Sequence, residues 1–492
     1  MAGSLIFEFQ LELPAREEEP APPGRPMRLL VMGDFSGRAP AGPLARRAVH
    51  RVDLDNLDQV LARCAPALEL TLDGAPASLR FQCLDDFHPD QLYQQADAFQ
   101  LLRSQRQRLN CPASFAAAAA QMQPPPAPTA TPAPSAPSAP PAGGGDFASL
   151  LGGAVRPAAG RNDFDALVKA LVGVVPGTDT RQSSYLAAAD TVIGQRMRAL
   201  LHTPAFQQLE AAWRGVHTLV TGLELDCGLE LYLVDIGKDE LAADLQAAGA
   251  QLQHSALYQL LVEPPRQAPD GAPWSILVGN YRFDAGEQDV QLLSSLAALA
   301  SQAGAPFLAG AHDSVLGCGQ LAATPDPDGW PAVAPAATER WQALRASPHA
   351  RWLGLALPRM LLRLPYGKQT DRIDHFNFEE ADGQPEHEHY LWGNAAFGLA
   401  LLLGQSFNAE GWDMEPGDRL DLDDLPAHTF RRDGEAQMQA CAETWLSDRA
   451  AEAMLQHGLM PLRSLRNRNA ARLQRCQSLA QPPQALAGPW QK

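Results

Sequence analysis

His387 and His389, in the segment EHEHY, are the first pair whose spacing could do chemistry, because two imidazoles can begin a metal site. A metal needs three or four ligands, and no further clustered ligand stands nearby, so an ordinary surface loop accounts for the pair better. Arg359 and Arg363, four apart in LPRMLLRLP, present guanidinium forks that suit bidentate carboxylate pairing. Those carboxylates either belong to a neighbouring chain or lie inside the fold, with Glu379 and Glu380 as the candidates; the internal reading is preferred. Ser36 follows a buried run in RLLVMGDFSG (28–37) but lacks the G-x-S-x-G setting of a nucleophile elbow. The same loop lacks the G-K-[ST] ending of a phosphate loop. Asp85 and Asp86 could pass for a carboxylate pair, yet their place before His88-Pro89 favours helix capping. No Ser, Cys or His stands beside a base in a known local signature, so no catalytic, cofactor-binding or metal residue is assigned.

The elements that would position these groups divide at PPPAPTATPAPSAPSAPPAGGG (124–145). Its prolines favour extended geometry, its Ala and Ser build no core, and its glycines loosen one end. It reads as a semi-stiff spacer (121–145) between a small domain at 1–120 and a larger one at 146–492. In the small domain Leu5, Phe7, Phe9, Leu11 and Leu13 alternate with Ile6, Glu8, Gln10 and Glu12, the period of a strand with one apolar face. Such a strand must pair with a sheet of its own domain or of a neighbour. A buried strand at 28–33, a helix within 52–66 and a strand, cap and helix over 79–109 follow. In the large domain Phe147, Leu150 and Leu151 share one side of a short amphipathic stretch. Helices are expected at 163–175, 184–201 and 204–220, then strands at 229–236, 275–283 and 305–311 with helices between them. This alternation predicts an α/β fold with a mixed or parallel sheet.

A chain of 492 residues with 46% hydrophobic content can build a sizeable core. A formal charge of −17 argues against the phosphate backbone of nucleic acid as the main partner. Seven scattered cysteines without CxxC spacing fit reduced thiols better than a disulfide frame. No signal peptide or apolar run long enough for a membrane span is visible, so a cytoplasmic protein is expected. The last thirty residues reverse the overall charge, with five Arg, one Lys and no acid. Within them Arg468, Arg472 and Arg475 read as one side of a helix, either facing an acidic partner or simply solvated.

GDFSGR, VDLDNLDQVL and LDDFHPDQL, in that order after an N-terminal strand, resemble the small (TssB-like, VipA/ImpB) subunit of the bacterial type VI secretion contractile sheath. FQQLEAAWRGVHTLV, VGNYRF, APFLAG, LGLALPRMLLRLPYG and YLWGNAAFGLA are similar, in order, to the large (TssC-like, VipB/ImpC) subunit. The resemblance implies contractile-sheath-like mixed α/β domains in a structural protein that is not an enzyme and needs no cofactor. It further implies assembly with copies of itself or other sheath subunits by strand exchange, for which Leu5, Phe7, Phe9 and Leu11 are the expected residues. Baseplate or inner-tube components and a recycling AAA+ unfoldase become expected partners, the unfoldase at Phe147, Leu150 and Leu151. The large subunit continues past the point where this chain ends at GPWQK, which keeps open a non-propagating cap, initiator or baseplate-proximal adaptor. An α/β enzyme remains the reading from another class.

Overall fold

The computed structural model describes residues 13–14, 21, 24–38, 42–72, 74–121, 181–226, 228–263, 272–381 and 385–490. They fall into two compact units, residues 1–98 with 194–492, and residues 99–193. Leu5, Phe7, Phe9 and Leu11, and likewise Phe147, Leu150 and Leu151, lie outside the described residues.

The strands in chain order are β1 (Met27–Gly33), β2 (Val49–Val52), β3 (Ala67–Leu72), β4 (Ala75–Arg80), β5 (Leu229–Asp235), β6 (Ile276–Phe283), β7 (Phe307–Ala311), β8 (Leu353–Leu357), β9 (Met360–Leu361), β10 (Trp392–Gly393), β11 (Asp421–Leu422), β12 (Thr429–Arg432), β13 (Glu435–Met438), β14 (Met460–Ser464) and β15 (Ala471–Leu473). The helices are α1 (Leu57–Cys64), α2 (Pro89–Gln95), α3 (Gln100–Asn110), α4 (Pro112–Ala119), α5 (Gln182–Leu201), α6 (Pro204–Gly222), α7 (Lys238–Ala248), α8 (Ala256–Leu261), α9 (Glu287–Ala303), α10 (Pro335–Ala346), α11 (Ala395–Glu410) and α12 (Asp448–Gln456).

The larger unit is built around a nine-stranded sheet in the order β11-β15-β14-β8-β7-β6-β1-β5-β2. From β5 through β8 neighbouring strands run parallel, and β14 continues in that sense beside β8. The two ends turn antiparallel, β2 against β5 and β15 between β14 and β11. This is the mixed α/β class expected from the alternation of elements.

The placement of β1 is the informative detail. MRLLVMG is buried at every position, and a strand apolar on both sides needs cover on both faces. It therefore sits inside the sheet, with Leu29–Met32 opposite Ile276–Gly279 on one side and Met27–Gly33 opposite Leu229–Asp235 on the other. Leu30 and Met32 join the core under α7 and α9, while Leu29 and Val31 point the other way by the two-residue period. Its one charge, Arg28, is 1% exposed and faces its register partner Glu230, with Nε 2.7 Å from Oε2. On the second face α6 and α11 pack closely, because a side chain at Gly215 would collide with Phe397 at 2.3 Å.

The smaller unit is a helical cluster of α3, α4 and the first part of α5, which crosses the boundary between the units. Leu109, Phe115, Ala118, Tyr185 and Ala189 form its core. Arg106 Nε donates to Asp190 Oδ1 at 2.6 Å, and Gln182 Nε2 to the Leu109 carbonyl at 2.8 Å.

Candidate functional site

In a doubly wound sheet, ligands bind beyond the carboxyl ends of the strands, where successive connections leave to opposite sides. Here β1 occupies that position, since β5 lies to one side and β6 to the other. The loop after it, Gly33-Asp34-Phe35-Ser36-Gly37, would be the place for an anion. Three of its amides are already taken. Phe35 N and Ser36 N both donate to Asp235 Oδ1, at 2.7 and 3.2 Å, and Gly37 N donates to Asp34 Oδ1 at 2.7 Å. Asp235 closes β5, so a carboxylate of the neighbouring strand sits where a phosphate loop would hold its ligand. Burial, with Asp235 adding to it, pushes the Asp34 carboxyl above its ordinary range. Trp213 Nε1 donates to the Phe35 carbonyl at 3.0 Å and its ring meets Phe35 edge-on at 5.3 Å, so the crevice is filled by protein. Ser36 Oγ donates to the Arg38 carbonyl at 3.0 Å. The loop is a structural joint.

Beyond β8 lies a frame of buried ion pairs. Arg363, 8% exposed, donates to Glu210 Oε1 at 2.8 Å and to Glu380 Oε2 at 2.7 Å, with second bonds to each carboxylate. Glu210 also accepts from Arg214 Nε one turn along α6 at 2.7 Å, and Arg214 Nη2 donates to Tyr366 OH at 2.9 Å. Glu380 Oε2 accepts from Tyr366 N at 2.8 Å. Burial alone would raise the Glu380 carboxyl, but Arg363 and the hydrogen bonds outweigh it and hold it at about 2. Arg359 makes a second cluster. Its amide donates to Glu443 Oε2 at 2.8 Å and its Nε to Glu443 Oε1 at 2.9 Å. Burial again works against ionisation of Glu443, yet His387 and Arg359 hold that carboxyl at about 2. Both arginines thus pair internally, as the preferred reading had it. Glu380 was a named partner; Glu379 is not one of these partners, and Glu210 and Glu443 were not foreseen.

The two histidines of EHEHY are drawn to different places. His387 Nε2 lies 3.0 Å from Glu443 Oε1, whereas the His389 ring stacks on His202 with centroids 4.1 Å apart. Among the described residues no group of three His, Cys, Asp or Glu side chains could hold a metal. Neither Asp85 nor Asp86 caps α2, because His88 holds that position and its Nδ1 accepts from Asp90 N at 3.2 Å; Asp86 instead closes the short turn Leu84–Phe87, its Oδ2 accepting from Gln82 N at 2.6 Å and Cys83 N at 3.2 Å. Asp90 ties α2 to a distant segment, accepting from Asp374 N, His375 N and His375 Nδ1 at 2.9, 3.1 and 2.9 Å.

The C-terminal arginines need a correction. Arg468, Arg472 and Arg475 do not lie on a helix, because β14 and β15 form a hairpin whose turn uses Asn467 at φ 57°. Ala471 and Leu473 are buried while Arg472 is exposed, so a two-residue period governs where a helical one was expected. Arg472 forks onto Asp421 with two bonds of 2.6 Å, and Arg468 reaches Asp423 at 3.1 Å. Arg475 is exposed just past β15.

The fold is a doubly wound α/β sheet in which residues from the chain start complete a sheet formed mostly by later segments. Residues 183–480, more than half of the chain, match the family described as EvpB/VC_A0108, tail sheath N-terminal domain, called VipB. Residues 19–118 match the family described as Type VI secretion system, VipA, VC_A0107 or Hcp2. The chain belongs to the VipB tail-sheath family and carries a VipA domain ahead of it in the same polypeptide. It is 34% identical over 307 residues to the type VI secretion system sheath protein TssC1 of Pseudomonas aeruginosa. That match covers 61% of this chain and 61% of the relative's length. No helix among the described residues is long and apolar enough to cross a membrane.

Proposed function

We propose that this chain is a structural subunit of a type VI secretion contractile sheath, supplying the small and large portions from one polypeptide. The observation that carries the reading is the position of β1. A strand from the VipA segment lies between two strands of the VipB segment, so neither segment completes the sheet alone. Copies then associate through the alternating strand at the chain start, with Leu5, Phe7, Phe9 and Leu11 on its apolar face. Strand addition uses backbone hydrogen bonds, which keep subunits linked while packed bodies rotate. The carboxyl-end crevice filled by Asp235 and Trp213 supports a mechanical role over a catalytic one. Other sheath subunits, the inner tube, the baseplate and a recycling unfoldase are the partners this role calls for.

Deleting residues 4–12 is the test. Association with further copies, read by sedimentation, is expected to be lost while the melting transition stays in place. Undiminished association would remove the strand from the mechanism. Discrete particles that bind a sheath without lengthening it would indicate a cap or adaptor.

A further inference from the structure

The smaller unit carries a surface unlike that of the rest of the chain. Among the described residues three large apolar side chains are exposed, and two of them, Leu101 at 79% and Val192 at 44%, fall in this unit. Its charge is reversed as well. Residues 99–193 hold seven Lys or Arg against five Asp or Glu, a net +2 that leaves −19 on the remainder of a chain of −17. From Ala98 to Gln121 there is no acid at all. Within that stretch α3 buries Leu109 and leaves Leu101, Ser104 and Gln105 exposed, with Arg108 half-buried about two turns beyond Leu101 on the same side. Arg106 is neutralised by Asp190 at 2.6 Å, whereas Arg108 Nη1 donates to the neutral Gln121 Oε1 at 3.1 Å, which does not cancel its charge. The complementary chemistry lies on the larger unit. Residues 410–424 hold seven Asp or Glu against Arg419, and Arg468 and Arg472 offset only Asp423 and Asp421. Glu410 and Glu415 are exposed there, and between them the half-buried ring of Trp412 packs edge-on against Phe407.

We propose that the outer face of α3, carrying Leu101 and Arg108, docks on the acidic segment 410–424 of a second copy of this chain. The proposal rests on the sheath reading only in taking copies to associate, and it makes no use of the strand at the chain start. Copies of charge −17 repel one another as whole bodies, so a contact between them needs a local reversal of sign. The small unit supplies that reversal. An apolar side chain beside an arginine is the composition found at the centre of protein interfaces, and a tryptophan among carboxylates is a fitting counterpart. The guanidinium gives the contact its direction, since the same face meeting another basic face is repelled. Two different surfaces meet, so the contact passes from copy to copy and builds a ring or an open filament rather than a closed pair.

The experiment uses two full-length variants, Ser104→Glu with Arg108→Glu, and Glu410→Lys with Glu415→Lys. All four side chains lie at the surface or half-buried, so the melting temperatures should stay at the parent's value. Followed by sedimentation, each variant alone should need at least about tenfold more protein to associate, because like charges now face each other. An equal mixture of the two should associate nearly as the parent does. The reversed α3 of the first then meets the reversed segment of the second, and the unaltered faces meet in turn. Variants that associate like the parent would overturn the proposal. So would a loss that the mixture does not restore, because that result places the contact within one chain or on another partner, as would a loss confined to the α3 variant. A parent that stays monomeric at every concentration would overturn it together with the sheath reading. Deletion of residues 4–12 keeps the two contacts apart. If it abolishes association while the charge variants do not, the strand stands and the docking fails; the opposite pair of results keeps the docking and removes the strand.

Discussion

Arg363 and Arg472 make nearly the same bonds in opposite surroundings. Each forks onto a carboxylate with close contacts, Arg363 onto Glu210 and Glu380 in the interior and Arg472 onto Asp421 at the surface. Glu210 and Glu380 are 0% and 1% exposed, while the Arg472 side chain is 54% exposed. Geometry alone therefore says little about what a pair contributes. Removing one partner inside leaves a charge that water cannot reach, whereas at the surface water and salt take its place.

The largest effect is expected from Arg363→Ala, which takes the shared guanidinium from two buried carboxylates at once; a loss of about 3–5 kcal/mol should be read from chemical denaturation. The comparison sharpens if Glu210→Leu, Arg363→Met and Glu380→Leu are combined. The triple variant should keep more stability than Arg363→Ala, because both buried carboxylates are gone and only Arg214, whose side chain is 21% exposed, loses an ion-pair partner. If it is the weaker of the two, the pairs stabilise the fold beyond mutual neutralisation. Glu443→Ala comes next and should cost somewhat less, since Arg359 retains 23% exposure.

Acid gives the third reading. Glu380 and Glu443 are held at about 2 in the fold against an ordinary value of 4.5. Carboxyls depressed by folding contribute stability that is complete above the unfolded value and lost as pH falls from 4.5 toward 2. The denaturation midpoint should accordingly drop between pH 4.5 and pH 2, beyond the decline that starts near pH 6.5 as histidines that burial holds below their ordinary value, His217 and His428 among them, take up protons in the unfolded chain. Glu443→Ala should blunt that drop; an unchanged slope would move its origin elsewhere. The smallest effect belongs to Arg472→Ala, where the melting temperature should not move in moderate salt. A clear destabilisation there would end the contrast.

The same two regions show what the sequence could disclose. Arg359 and Arg363 could be read as internal because apolar residues surround them, and Glu380 lies only 17 positions from Arg363. Glu210 lies 153 positions away inside the apolar stripe of α6, where nothing local marks it as a partner. The C-terminal arginines depart from the helical expectation for a different reason. Spacings of four and three suggest a helix, but Asn467 in a left-handed conformation turns the chain back and starts a strand. The mixed α/β class followed from periodicity, and β1 could be recognised as a buried strand from MRLLVMG. Its place between β5 and β6 could not, because those partners come roughly two hundred positions later. Long-range pairing is set by which apolar faces remain uncovered, and no short window contains that information.

The most direct measurement is electron microscopy of the purified full-length chain across a concentration series, with and without residues 4–12. Tubular polymers that lengthen with concentration and vanish on deletion are the expected result. Compact particles of one size, identical in both forms at every concentration, would contradict it.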